Sequence, residues 1–117
     1  MKLLVFILSQ PEKLDHLLKR LAEEHLTGAT VFNSAGMASS LVSSNDETLS
    51  NIFGSLRQLL KDTKKENKTL MMVTSEKNVS RVEEIIEEVV GNLDEPNTGI
   101  LFTMPLDYVR GFKHKWF

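Results

Sequence analysis

The segment Gly91-Asn92-Leu93-Asp94-Glu95-Pro96-Asn97-Thr98-Gly99 and the later Arg110 are the residues whose types and spacing could hold a small ligand. Glycines let a backbone approach a bound group closely, and a guanidinium can grip a phosphate or carboxylate through two parallel hydrogen bonds. Each feature also has a plainer reading, and both stay open at this level. Gly91 serves equally as the stop of a helix and Gly99 as the entry turn of a strand, while Arg110 could be half of a surface or interface ion pair. Neither a Walker A sequence nor G-x-G-x-x-G occurs, so the chain carries no independent phosphate fingerprint.

Catalytic chemistry finds little to work with. His16 and His25 fall on one expected helix, about half a turn out of phase, and so cannot share a metal. His114, between Lys113 and Lys115, reads as a surface histidine. The absence of cysteine excludes disulfides, thiolate metal sites and cysteine nucleophiles, and the chain fits a reducing cytoplasm. No carboxylate pair, Ser-His-Asp order or metal-ligand cluster emerges, so the reading is of a protein that is not an enzyme and holds no metal. Glu83, Glu84, Glu87 and Glu88 form like-charge pairs four residues apart, which weakens a helix slightly; they read as a solvated face or as an attraction for a basic partner. With a net charge of −2 there is no electrostatic footprint for nucleic acid. The apolar run Leu3 to Leu8 falls far short of the roughly 20 residues that span a bilayer and reads as a buried strand, so no membrane insertion is expected.

The elements that must position these residues follow from hydrophobic period. After Leu3–Leu8, Ser9 and Glu12 have the spacing of a capping box, with Pro11 suited to a first helical turn. Leu14, Leu17, Leu18 and Leu21 then recur at helical spacing, Leu26-Thr27-Gly28 supplies a stop, and Ala29 to Phe32 resumes as a strand. The second half repeats the order: Thr69 to Thr74 as a strand, a possible Ser75 cap, Val79, Val82, Ile86 and Val89 on one helical face, Gly91 as the stop, and Gly99 to Thr103 as a last strand that Pro105 keeps from simple continuation. Two β-α-β halves predict an α+β, ferredoxin-like βαββαβ fold, a four-stranded antiparallel sheet with both helices on one face. The other face of such apolar strands needs cover, and oligomerisation supplies it.

At 117 residues the chain is sized for a single domain, residues 1–117. Residues 37–68 separate the halves, too long a connection to be structureless unless it is functional or holds its own helix. The stretch from Ala38 to Asp46 is small and polar and reads as a flexible loop, mobile without ligand. Leu49, Ile52, Phe53, Leu56, Leu59 and Leu60 predict a short helix from about Glu47 to Lys61, in which Gly54 marks either a close approach or a later start at Ser55. Phe112, Trp116 and Phe117 in the basic tail could close a pocket or cover a neighbouring subunit.

Lys2-Leu3-Leu4-Val5-Phe6-Ile7, Lys13-Leu14-Asp15, Leu26-Thr27-Gly28-Ala29-Thr30-Val31 and Gly99-Ile100-Leu101-Phe102 resemble the corresponding stretches of the P-II signalling proteins. The resemblance implies a homotrimer with a small effector, such as an adenine nucleotide, in clefts between subunits, and a long loop that signals to a partner protein. On the positions that match, it implies ligand contacts at Thr30, Gly36, Thr98, Gly99 and Arg110. The chain also departs from the family. The family's phosphate-gripping loop is rich in glycine and ends in lysine, whereas Gly91 to Gly99 has Asp94 and Glu95 and no lysine, which places a tightly held triphosphate in question. Residues 37–68 contain no tyrosine, so tyrosine-linked nucleotidylation there is ruled out. A CutA-like trimer with a structural or metal-tolerance role, or a small acylphosphatase-like or monooxygenase-like enzyme, would share the same layout, and fold alone does not choose among them.

Overall fold

The computed structural model describes residues 1–37, 40 and 66–112. The helix expected over 47–61, Gly54, Arg57, His114, Trp116 and Phe117, and most of the loop expected over 38–46, lie outside the described residues. In chain order the elements are strand β1 (Lys2–Leu8), a short 3-10 turn (Pro11–Lys13), helix α1 (Leu14–Glu23), strands β2 (Ala29–Ser34) and β3 (Asn67–Thr74), helix α2 (Glu76–Val90) and strand β4 (Gly99–Pro105). All pairings are antiparallel, and the strand order is β2-β3-β1-β4. This is the ferredoxin-like arrangement that two β-α-β halves dictate.

Alternation along β1 divides the sheet into two faces. Leu4, Phe6 and Leu8 join Leu70 and Met72 of β3 in one cluster with Leu17 and Leu21 of α1 and Val82, Ile85, Ile86, Val89 and Val90 of α2. Leu3, Val5 and Ile7 therefore point the other way, registered against Val73, Met71 and Thr69 on one side and Met104, Phe102 and Ile100 on the other. Thr30 and Phe32 of β2 continue that second face through Met71 and Thr69.

Several local expectations change in the structure. No Ser9–Glu12 capping box forms; Gln10 is the N-cap without a side-chain cap bond, because Pro11 opens a 3-10 turn before the α-helix. The left-handed residue after α1 is His25 (φ 62°), not Gly28. The Leu26 N–H turns back to the Leu21 carbonyl at 2.9 Å, ending the helix early and leaving His25 outside it. Asn67 and Lys68 belong to β3 rather than to the insertion. At the other end of the insertion the Ser40 N–H donates to the Gly36 carbonyl at 2.9 Å, a helical bond where a loop is expected. Strand β4 runs through Pro105, which an edge strand tolerates because its outward N–H has no ladder partner to lose. Gly91 (φ 103°) closes α2 as expected, its N–H donating to the Glu87 carbonyl at 3.0 Å.

The acidic residues of α2 are not all free. Arg20 of α1 bonds Glu23 (2.9 Å), Glu24 (3.2 Å) and Glu88, and Arg81 bonds Glu84 (2.7 Å) and Glu24. Glu24 is thereby shared between the two helices. Hydrogen bonds from Arg81 hold the Glu24 carboxyl below its usual range, and those from Arg20 do the same for Glu88. The ladder fastens α1 to α2 over the core at the expense of the like-charge repulsion their sequence suggests.

Candidate functional site

Of the residues singled out by the resemblance, Thr98 and Gly99 stand at one end of edge strand β4, Gly36 follows the same end of the opposite edge strand β2, and Thr30 lies at mid-sheet on β2. Gly99 begins β4, opposite Leu8; Leu8 faces Lys68, and Asn67 beside it faces Ser34, two residues before Gly36. Thr98, Gly99 and Gly36 thus share the end where β1 finishes. Thr30 lies at mid-sheet, level with Val5 at the middle of β1, and the chain leaves β4 at the end where β1 begins on its way to Arg110, with the Leu106 N–H bonded to the Met1 carbonyl at 3.1 Å. From Thr30 the register runs through Met71 and Val5 to Phe102, so Thr30 and Gly99 are three strands apart, roughly 14 Å across the sheet, and roughly a further 10 Å along it. Within a single chain Thr30 and Gly99 thus stand on opposite edge strands of the sheet.

At the first end, the loop from Gly91 to Gly99 is closed on itself. The Asp94 N–H donates to Asn92 Oδ1 at 2.9 Å and the Glu95 N–H to the Asn92 carbonyl at 3.0 Å. The buried Thr98 hydroxyl donates to the carbonyls of Glu95 (2.8 Å) and Leu93 (3.4 Å), and the Thr98 carbonyl accepts the Ser9 N–H at 3.2 Å. Gln10 contributes a further tie, its Nε2 donating to the Asn97 carbonyl at 2.8 Å; its Oε1 is buried and has no partner among the described residues. Gly99 is demanded by sterics. At φ 151° a Cβ would lie 2.5 Å from the Ile7 carbonyl oxygen and 2.8 Å from the Phe6 ring. Asp94 and Glu95 are exposed on the outside of this loop.

On β2, Thr30 is exposed on the helix-free face and borders a hollow of about 300 Å³ lined by Leu3, Gly28, Thr30, Met71, Met72 and Val73. Its walls are apolar apart from the threonine hydroxyl. Arg110 is exposed and has no ion-pair partner among the described residues. Gly36 sits at the root of the insertion, where a Cβ would come within 3.4 Å of Asn67 Nδ2. Among the described residues no group of three His, Cys, Asp or Glu side chains could hold a metal, and no helix is long and apolar enough to cross a membrane.

Gln10 and the hollow escape a reading of sequence. Gln10 looks like a loop residue until its partner 87 positions away is known. Leu3, Met71 and Val73 are visible as alternate residues of apolar strands, but their meeting with Gly28 and Thr30 depends on strand register.

The split four-stranded sheet with its helices on one face defines a class of fold, the ferredoxin-like arrangement. The model of the family described as nitrogen regulatory protein P-II matches residues 1–115, and the chain belongs to that family. No curated protein matches it. Among solved structures, the crystal structure of a functionally unknown protein from Pediococcus pentosaceus ATCC 25745 is 19% identical, covering 95% of this chain and 96% of that one with a TM-score of 0.60. At that identity the likeness shows a common fold.

Proposed function

We propose that this P-II family protein is a regulator, not an enzyme, whose ligand site is completed where the edge strand bearing Thr30 in one copy meets the edge strand bearing Gly99 in the next in a cytoplasmic homotrimer. The observation that carries the reading is the separation of Thr30 from Gly99. Thr30 and Gly99, on opposite edge strands roughly 14 Å apart across the sheet, do not close on one small molecule, whereas a head-to-tail contact between copies brings the two edges together, and such contacts can close into rings. The helix-free face supports it, since Phe32, Ile100, Phe102 and Met104 are 44%, 57%, 40% and 42% exposed in the single chain. A contiguous apolar surface of that kind marks an interaction face. The effector is a small molecule, an adenine nucleotide or a relative of one, and it changes the disposition of the insertion that starts at Gly36, through which a partner protein is engaged.

A mixing experiment tests the shared site. Arg110→Ala damages one edge and Gly36→Arg the other, so each variant alone should lose adenine-nucleotide binding in a calorimeter. Refolded together in equal amounts, copies of the two kinds should regain about a quarter of the sites, because some interfaces then join two intact halves. A mixture as silent as its components, with a wild type that binds, would place the site within one chain. Light scattering checks the assembly itself: wild type should have the mass of a trimer and Phe102→Glu a smaller one.

A further inference from the structure

Resting on that shared site, we propose that its effector carries little negative charge: a nucleoside or nucleoside monophosphate, or a molecule of like character, is preferred to a di- or triphosphate. Two observations at the two edges point the same way. An anion is held by unspent backbone N–H groups or by cations. In the loop that would have to receive a phosphate chain, the N–H groups of Asp94 and Glu95 are already spent on Asn92, and the Thr98 hydroxyl is spent on the carbonyls of Glu95 and Leu93. What the loop turns outward is instead acceptor character, the exposed carboxylates of Asp94 and Glu95. Each further phosphate brought to this end meets the repulsion of these two carboxylates.

The other edge asks for a different chemistry. The hollow beside Thr30, about 300 Å³ and walled by Leu3, Met71 and Val73, lies at the small end of ligand pockets and suits a flat, weakly polar ring with one hydrogen-bonding edge for the hydroxyl. Arg110, which follows β4, is matched to a single anionic group rather than to a chain of them. Ring, one hydrogen bond and at most one charge describe a nucleoside-like ligand.

Calorimetric titration of adenosine, AMP, ADP and ATP without magnesium is the test, on wild type and on Asp94→Asn/Glu95→Gln. Both positions are exposed, so the double variant should melt as wild type does. On wild type, affinity should fall by about tenfold or more from AMP to ATP at low salt. The double variant should recover about that factor for ATP while adenosine changes by less than about twofold, and added salt should improve ATP binding to wild type by screening the carboxylates. If ATP binds wild type tightest without metal and the double variant leaves the order unchanged, the charge argument is wrong while the shared site stands. If none of the four ligands binds wild type, the effector reading falls and takes this inference with it.

Discussion

The two faces of the sheet are built from the same strands, residue by residue in alternation, and end in opposite conditions. On one face Leu4, Phe6 and Leu8 are at most 1% exposed beneath α1 and α2; on the other Ile100 and Phe102, registered against Ile7 and Val5, are 57% and 40% exposed. Among the described residues, α1 and α2 cover one side. What the difference teaches is that one face of the sheet is filled by the helices while the other keeps large apolar side chains exposed, so the two faces can be perturbed separately.

The sharpest way to break that comparison is to remove the same side chain from each face. Phe6→Ala empties a fully buried position and should cost about 3–5 kcal/mol in urea unfolding. Phe102→Ala, measured at dilutions where copies separate, should cost less than about 1 kcal/mol, and its effect should grow with protein concentration. Equal, concentration-independent losses would mean that the second face is not a surface of association.

Two glycines flanking the acidic loop sharpen it further. Gly99→Ala sets a methyl group against the Ile7 carbonyl at 2.5 Å and the Phe6 ring at 2.8 Å, at φ 151°, and should lose about 2–4 kcal/mol. Gly91→Ala bears only the backbone penalty at φ 103°, with nothing within 4 Å of the new atom, and should lose about 1–2 kcal/mol by the same assay. A larger loss at Gly91 would show that contact with the core is not what Gly99 provides.

The smallest effect belongs to the Arg20 and Arg81 ladder on the solvent side of the helices. Hydrogen bonds from the arginines hold Glu24 and Glu88 below their ordinary value of 4.5. Their stabilising contribution is therefore complete above about pH 4.5 and is lost as pH falls through the lower folded values. Thermal melts should show a modest decline below pH 4.5 that is reduced in Glu88→Gln and by added salt. A decline unchanged in Glu88→Gln would assign acid lability to other carboxylates.

The apolar runs and the helical stripe Leu14, Leu17, Leu21 make the order of elements legible in the sequence, because burial imposes the 2-residue and 3.6-residue periods directly on residue type. Ends of elements are less legible. His25 takes the left-handed position although Gly28 is better suited to it, because the Leu26 bond back to Leu21 sets where the turn must fall. The pairing of Glu88 has no local signal, since its partner Arg20 lies on the other helix.

By itself the sequence determined the α+β class and the split of the chain into two β-α-β halves, since each depends on local composition or spacing. Only the tertiary structure decided strand order and register, and with them that Thr30 stands at mid-sheet on one edge strand while Thr98 and Gly99 stand at the end of the other. It also decided that the N–H groups of Asp94 and Glu95 are spent within their own loop. The physical reason is common to both: hydrogen bonds between distant strands and within a turn are chosen by how the whole sheet packs on its helices, and no residue type records that choice on its own.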